Sequence, residues 1–222
     1  MTRTEPGAGR LSRRLTGAGH AVLNAPVLHI EDTSNAAPPG CFDFVLFVSG
    51  HAVERAFATG WDPKLRPGIA AGIGAAAETA LRSRGIRTRL CGIADATAVT
   101  RALMTPPPRT LLVKGEGGRD VVQNWVRSHG ASVAEWDVYR RVPARPTLGD
   151  ERIDAIVAAS GDGVREIAAL WFAGGRSGSV PLLVPSPRVA DLAEAVGFDN
   201  VVVTAGAADD AVVSALRKLR EV

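Results

Sequence analysis

The chain has 222 residues, 46% of them apolar, which is enough to bury one or two cores. Its net charge is +3, from 23 arginines and 3 lysines against 23 acidic residues; no basic run interleaves with aromatics, which argues against nucleic acid as a partner, and the arginine excess reads either as codon usage or as provision for a carboxylate- or phosphate-bearing ligand. Two cysteines, Cys41 and Cys91, argue against a disulfide framework or a metal site and for a reducing, cytoplasmic setting; no run approaches the ~18 apolar residues of a membrane span, and the N-terminus lacks the apolar core of a signal peptide.

In chain order, Met1 to Gly9 is polar and glycine-rich, and Arg10 to Ala18 reads as a short helix with Leu11 and Leu15 inward. A strand is expected over Ala21 to Ile30, then a turn-rich connection to Gly40. Phe42 to Val48 is a continuous apolar strand, suited to a parallel sheet covered on both faces. Ser49-Gly50 follows as a turn, and His51 to Phe57 begins a helix. Ile69 to Ile73 is a strand, Ala75 to Arg84 a helix stopped by Gly85, and Ala94 to Leu103 a helix closed off by Pro106-Pro-Pro108. Thr110-Leu-Leu-Val-Lys-Gly-Glu-Gly-Gly-Arg119 then reads as strand Leu111 to Val113, a glycine turn, and a helix with Val121, Val122, Trp125 and Val126 inward, stopped at His129-Gly130. Arg119 is expected in the first turn of that helix, where backbone N–H groups favour an anion and a guanidinium grips a carboxylate with two bonds. A strand follows from Val133 to Tyr139. The remainder alternates strand and helix: Ile153 to Ala159, Val164 to Trp171, Val180 to Val184, Val189 to Val196, Asn200 to Thr204 and Asp209 to Leu219. Such alternation argues for parallel α/β sheets.

A shift of 111 residues superposes one half on the other. Asp43 to Gly50 falls on Asp154 to Gly161, Val53 on Val164, Gly19 on Gly130 and Val27 on Val138, with strand, turn and helix signals in phase. An internal repeat is therefore expected. The counterpart of strand Leu111 to Val113 falls just before and on Met1 and Thr2, so the first copy is short of its opening strand, and either a start upstream of Met1 or a sheet that lacks a strand is expected.

Several residues carry two readings. Ser49 and Ser160 are equivalent turn serines at the C-terminal ends of strands, where open α/β sheets bind ligands, and each is also a plain helix cap. As nucleophiles they lack a Gly-x-Ser-x-Gly elbow and a His/Asp pair. Tyr139, the single tyrosine, reads either as a half-buried strand residue or as a hydroxyl donor to a leaving oxygen. Gly115-Glu-Gly-Gly-Arg119 fits neither a Walker loop nor G-x-G-x-x-G and is an anion turn or an ordinary helix entry. His20, His29, His51 and His129 show no metal spacing and are expected at the surface; the four tryptophans are expected in core or rim.

Together these residues resemble the uroporphyrinogen-III synthase family. The matching features are Thr2-Arg3 before Glu-Pro, Leu46-Phe-Val-Ser49 with Ala52-Val53, Leu112-Val-Lys-Gly-Glu-Gly-Gly-Arg119, Gly130-Ala with Val133, Val138-Tyr-Arg140, and Ser160 with Val164-Arg165. The resemblance runs over nearly the whole chain and implies two flavodoxin-like α/β domains joined by a two-stranded β linker. Domain 1 would comprise 1–28 and 144–222, domain 2 would comprise 32–138, and the linker strands would be 27–31 and 138–142. It implies no cofactor and no metal. The substrate implied is hydroxymethylbilane, a linear tetrapyrrole bearing acetate and propionate groups, cyclised to uroporphyrinogen III with inversion of the last ring and loss of water, in heme biosynthesis. Tyr139 would assist departure of the hydroxyl; Arg3, Ser49, Gly50, Thr79, Lys114, Gly115, Gly118, Arg119 and Ser160 would hold substrate. A monomer in transient contact with hydroxymethylbilane synthase is implied, with no membrane partner. The sequence departs from the family where Val48, Ala77, Ala159 and Val189 replace threonines and His51 an asparagine. The alternatives are a weakened paralogue, or a non-catalytic two-domain module binding an acidic ligand.

Overall fold

The computed structural model describes residues 1–5, 7–61, 69–88 and 90–220. Pro6, within the Glu-Pro of the family motif, lies outside them. The chain divides into two compact units, Met1–Ile30 with Val142–Val222, and Glu31–Arg141.

The unit of Glu31–Arg141 is built on a sheet of β1 (Leu28–Asp32), β2 (Phe44–Phe47), β3 (Ile69–Gly72), β4 (Arg109–Gly115) and β5 (Ser132–Pro143), in the order β1-β5-β4-β2-β3. The β2–β3, β2–β4 and β4–β5 pairs are parallel. All four residues of β2 are buried, as its unbroken apolar run demands of a strand covered on both faces. Phe44, Leu46 and Leu112 pack with Val99 of α4 (Ala96–Leu103) and with Val122 and Val126 of α5 (Val121–Ser128). On the other side lie α2 (Gly50–Ala58), which buries Ala52, Val53 and Ala56, and α3 (Gly74–Arg82), which buries Ala77 and Leu81. Phe47 meets the Trp61 ring edge-on at 5.2 Å. The pairing of β4 with β5 shifts register between Lys114 and Gly115, so that Gly115 faces Tyr139 rather than Val138. A bulge of this kind re-aims the side chains beyond it.

The second unit has a parallel sheet β6-β7-β8, formed by Ile156–Val157, Leu182–Val184 and Val201–Val203. Alternate side chains serve opposite faces. Ile156, Leu182 and Val184 pack on α6 (Gly161–Ala173) and α7 (Pro187–Ala195) through Ile167, Trp171 and Val189, while Val157 and Leu183 pack on α1 (Gly7–Gly17) and α8 (Asp209–Arg220) through Leu11, Leu15 and Val212. Met1 and Thr2 run beside β6: the Thr2 amide donates to the Val157 carbonyl at 3.1 Å, and Val27 and Ala25 donate to Thr2 and Met1.

Several expected elements change. The strand expected over Ala21 to Ile30 is ordered as a strand only from Leu28, since Pro26 lacks an amide to pair. Ile153 to Ala159 contributes only the two-residue β6. Val133 to Tyr139 and the linker segment beyond it form one twelve-residue strand. Arg119 lies outside α5, which starts at Val121 after an Asp120 N-cap; Gly117 and Gly118 take φ of 72° and 100°, so the chain leaves β4 through a turn rather than entering a helix directly.

Candidate active site

In the unit of Glu31–Arg141 the polar groups gather at the C-terminal ends of β2 and β4. The backbone of Ser49 is extended and its Oγ accepts the Ala52 amide at 3.1 Å, capping α2. That oxygen lies 3.1 Å from Tyr139 Oη. The Arg141 guanidinium donates from Nη2 to the same phenol oxygen at 3.1 Å and lies 5.4 Å from the ring centroid. Tyr139 is fully buried, with 0% exposure, and not half-buried as the alternation of the strand suggests. Its ring packs over Gly115, where a Cβ would stand 2.4 Å from Cε2; only glycine admits the ring there. Gly50 is similarly confined, a Cβ there meeting the Ala76 carbonyl at 3.3 Å.

His51 closes one side of the cluster, its ring 5.9 Å from that of Tyr139 in edge geometry. Burial holds the imidazole below its ordinary value; Arg141 and Arg55 add to the effect and Glu54 opposes it. The ring therefore stands neutral near pH 7 and is less exposed than a surface histidine.

Lys114 points elsewhere. Its ammonium is nearly buried and contacts Asp137 at 2.9 Å, Glu135 at 3.3 Å and the Gly117 carbonyl at 3.1 Å. Burial opposes the charge, yet Asp137 and Glu135 raise its pKa. Lys114 thus clamps the turn to β5, and its charge is already matched by two carboxylates. Glu116 to Asp120 is exposed, so Gly118 and Arg119 stand in open solvent. Thr79 is exposed on α3 and its hydroxyl makes no hydrogen bond among the described residues.

In the other unit, Ser160 caps α6 by accepting the Gly163 amide at 3.2 Å. Arg3 is held by Asp209 at 2.8 Å and by the Ala207 carbonyl at 2.9 Å. Burial works against the Asp209 carboxylate, but Arg10 and Arg3 together hold its pKa below the usual range. The same unit has a cavity of about 830 Å³ beside β6, between Leu15, Trp171 and Leu216, which none of the expected site residues lines.

Sequence reasoning passed over Arg141, His51 as a neighbour of Tyr139, and Asp209. The signal for Arg141 was present: in a strand, residues two apart share a face, and Arg141 follows Tyr139 by two. Among the described residues no group of three or more His, Cys, Asp or Glu side chains could hold a metal. No helix of the described residues is long and apolar enough to cross a membrane.

Parallel sheets with capped helix entries and a hydroxyl cluster at their C-terminal ends define an α/β protein of the class that presents its ligand sites at strand ends. A family model described as Uroporphyrinogen-III synthase HemD matches residues 9–214, and the chain belongs to that family. It is 27% identical over 119 residues to a uroporphyrinogen-III synthase of Escherichia coli (strain K12), a match covering 49% of this chain and 48% of that protein; the chain thus aligns with about half the length of that curated relative. Among solved structures it is similar to a uroporphyrinogen-III synthetase from Helicobacter pylori 26695, with a TM-score of 0.66, 12% identity, and coverage of 89% of this chain and 92% of that one. It is also similar to a mutant uroporphyrinogen III synthase from the extremely thermophilic bacterium Thermus thermophilus, with a TM-score of 0.61, 17% identity, and coverage of 100% and 98%. At such identities the structural likeness speaks for the shared α/β fold.

Proposed function

We propose that the protein is a uroporphyrinogen-III synthase, a cyclising hydro-lyase that closes hydroxymethylbilane to uroporphyrinogen III with inversion of the last pyrrole ring and release of water. Family membership supports the reaction class. The observation that carries the site is the Tyr139 hydroxyl, held between Ser49 and Arg141 at 3.1 Å each. In this reading the departing hydroxyl of the substrate needs a proton, which the hydroxyl cluster around Tyr139 supplies. The rest of the task is positioning: the flexible tetrapyrrole must be folded so that its last ring attacks through its substituted carbon. In the unit of Glu31–Arg141, Ser49, Gly50, Gly115, Gly118 and Arg119 offer strand-end amides, a hydroxyl and a guanidinium to substrate carboxylates, and Arg3 and Ser160 belong to the proposed binding set by their own strand-end positions. Lys114 and Thr79 remain in the proposed binding set through the turn and the helix that carry them. No cofactor is called for, because the loss of water and the ring closure balance without a redox partner.

We further infer that the two units are copies of one ancestral unit, with linker strands at 27–31 and 138–142, and that the enzyme works in the cytoplasm as a monomer receiving its unstable substrate by transient contact with the enzyme that makes it. The 111-residue repeat supports the common origin of the two units. The test of function is a coupled assay on freshly generated hydroxymethylbilane, with product separated into type I and type III isomers. Type III product above a protein-free control is expected. Type I product alone, at the rate of the protein-free control, refutes the assignment and leaves the non-catalytic binding module as the reading.

A further inference from the structure

We propose that Arg141, Tyr139 and Ser49 form a one-way proton relay in which Ser49, and not Tyr139, is the hydroxyl that touches the substrate. The proposal deepens the synthase reading and rests on it. Its basis is a directional count of donors. A guanidinium only donates, so the 3.1 Å bond from Arg141 Nη2 occupies an acceptor site on the phenol oxygen. The phenol O–H then points to the other oxygen within reach, Ser49 Oγ at 3.1 Å. Ser49 Oγ also accepts the Ala52 amide at 3.1 Å. With both its acceptor sites engaged, the Ser49 hydroxyl has one remaining role, to donate its own proton outward. Burial agrees with this direction: Tyr139 is 0% exposed, whereas Ser49 is half-buried at the strand end. A tyrosine enclosed by Gly115, His51, Ser49 and Arg141 reaches a ligand of tetrapyrrole size only through a neighbour.

The step balances. Ser49 gives its proton to the hydroxymethyl oxygen of the substrate as the C–O bond breaks, and that oxygen leaves as water. Tyr139 O–H refills Ser49, and the transient phenolate is met by the Arg141 N–H, a charge-assisted bond stronger than a neutral one. The proton released when the closing pyrrole regains aromaticity restores the phenol. Arg141 and Tyr139 are positioning residues here, and Ser49 is the catalytic residue.

The chain contains a single tyrosine, so its Raman spectrum reports Tyr139 alone. The intensity ratio of the tyrosine doublet tells whether the phenol oxygen donates, accepts or does both. The relay predicts a mixed signature in the native protein. It predicts a shift toward pure donation in Arg141→Met and toward pure acceptance in Ser49→Ala. The kinetic arm uses Ser49→Asp, which keeps a side-chain acceptor for the α2 cap but has no proton to give near pH 7, and Ser49→Thr, which keeps the hydroxyl. Ser49→Asp should lose type III formation by about 10²–10⁴-fold in kcat, Ser49→Thr should restore most of it, and Ser49→Asp combined with Tyr139→Phe should be no slower than Ser49→Asp alone. A doublet ratio unmoved by either Arg141→Met or Ser49→Ala overturns the geometry. Full activity in Ser49→Asp, or losses that multiply in the double variant, overturn the relay even if the doublet moves. A native protein that forms no type III product refutes the synthase reading itself, and the Raman ratio then judges the hydrogen-bond direction on its own.

Discussion

The contact between Gly115 and Tyr139 yields the sharpest prediction. In Gly115→Ala the new methyl carbon would lie 2.4 Å from Cε2, 2.6 Å from Cζ and 2.9 Å from Cδ2 of the tyrosine. Carbon atoms in contact rest at about 3.5–4.0 Å, so the ring must retreat by about 1 Å or more. Tyr139 has 0% exposure and His51 stands against it, so the ring retreats only by displacing its neighbours. Both hydrogen bonds of the phenol begin at 3.1 Å, and such a displacement carries them beyond bonding distance. Overpacking costs about 1–3 kcal/mol and the two lost hydrogen bonds at least about 1 kcal/mol each, for a total on the order of 3–5 kcal/mol. For a chain of this size that lowers Tm by roughly 6–20 °C, measured by calorimetry or circular dichroism. Gly117→Ala is the control: its φ of 72° carries a backbone cost of about 1–2 kcal/mol, but nothing stands within 4 Å of its Cβ, so Tyr139 stays in place. Type III formation should collapse in Gly115→Ala and persist in Gly117→Ala. Combining Gly115→Ala with Tyr139→Leu should recover much of the lost stability, since the clash partner is gone. Equal Tm values and equal isomer ratios for Gly115→Ala and Gly117→Ala would refute the packing argument.

Three other outcomes are expected. Tyr139→Phe should reduce type III formation by about 10²–10⁴-fold while type I product rises, with little change in KM, because only an oxygen is removed; an unchanged isomer ratio removes Tyr139 from the mechanism. Asp209→Ala should cost about 1–3 kcal/mol by freeing Arg3 and Arg10, read from urea midpoints. Because the folded carboxylate titrates below its ordinary value, its stabilisation is present above about pH 4 and is lost as pH falls through the lower folded value; Asp209→Ala should flatten the acid limb, and an unaltered limb counts against the pairing. His51 runs the same way with the opposite charge: its folded pKa is depressed, so the unfolded chain binds more protons below about pH 6.5 and stability falls as the solution is acidified from there. His51→Gln should reduce that slope, and a slope identical to the native one would show that His51 does not titrate across folding.

Much of this was legible from local chemistry. The apolar run Phe44–Phe47 could only be a strand covered on both faces, and it is buried throughout. Ser49 and Ser160, each preceded by a strand and followed by a glycine, cap α2 and α6 because a side-chain oxygen there meets otherwise unpaired helix amides. These depend on neighbours a few residues away, and so do helix starts, glycine turns and the α/β class. The family motif likewise survives in short segments.

What tertiary structure decided depends on contacts between distant segments. Lys114, Gly115 and Tyr139 all belong to one motif by sequence, yet the register shift between β4 and β5 sends Lys114 to Glu135 and Asp137 and brings Tyr139 over Gly115. Ser49 and Tyr139 are 90 residues apart and meet only because β2 and β5 flank β4 in one sheet. Arg3 finds Asp209 across 206 residues of chain, and the partner decides that its charge is largely satisfied. Residue type and spacing along the chain determine which groups are available and how each local segment folds. Which of them meet, which are buried and which charges are already paired is determined by sheet order and register, and these are set by the summed packing of both faces.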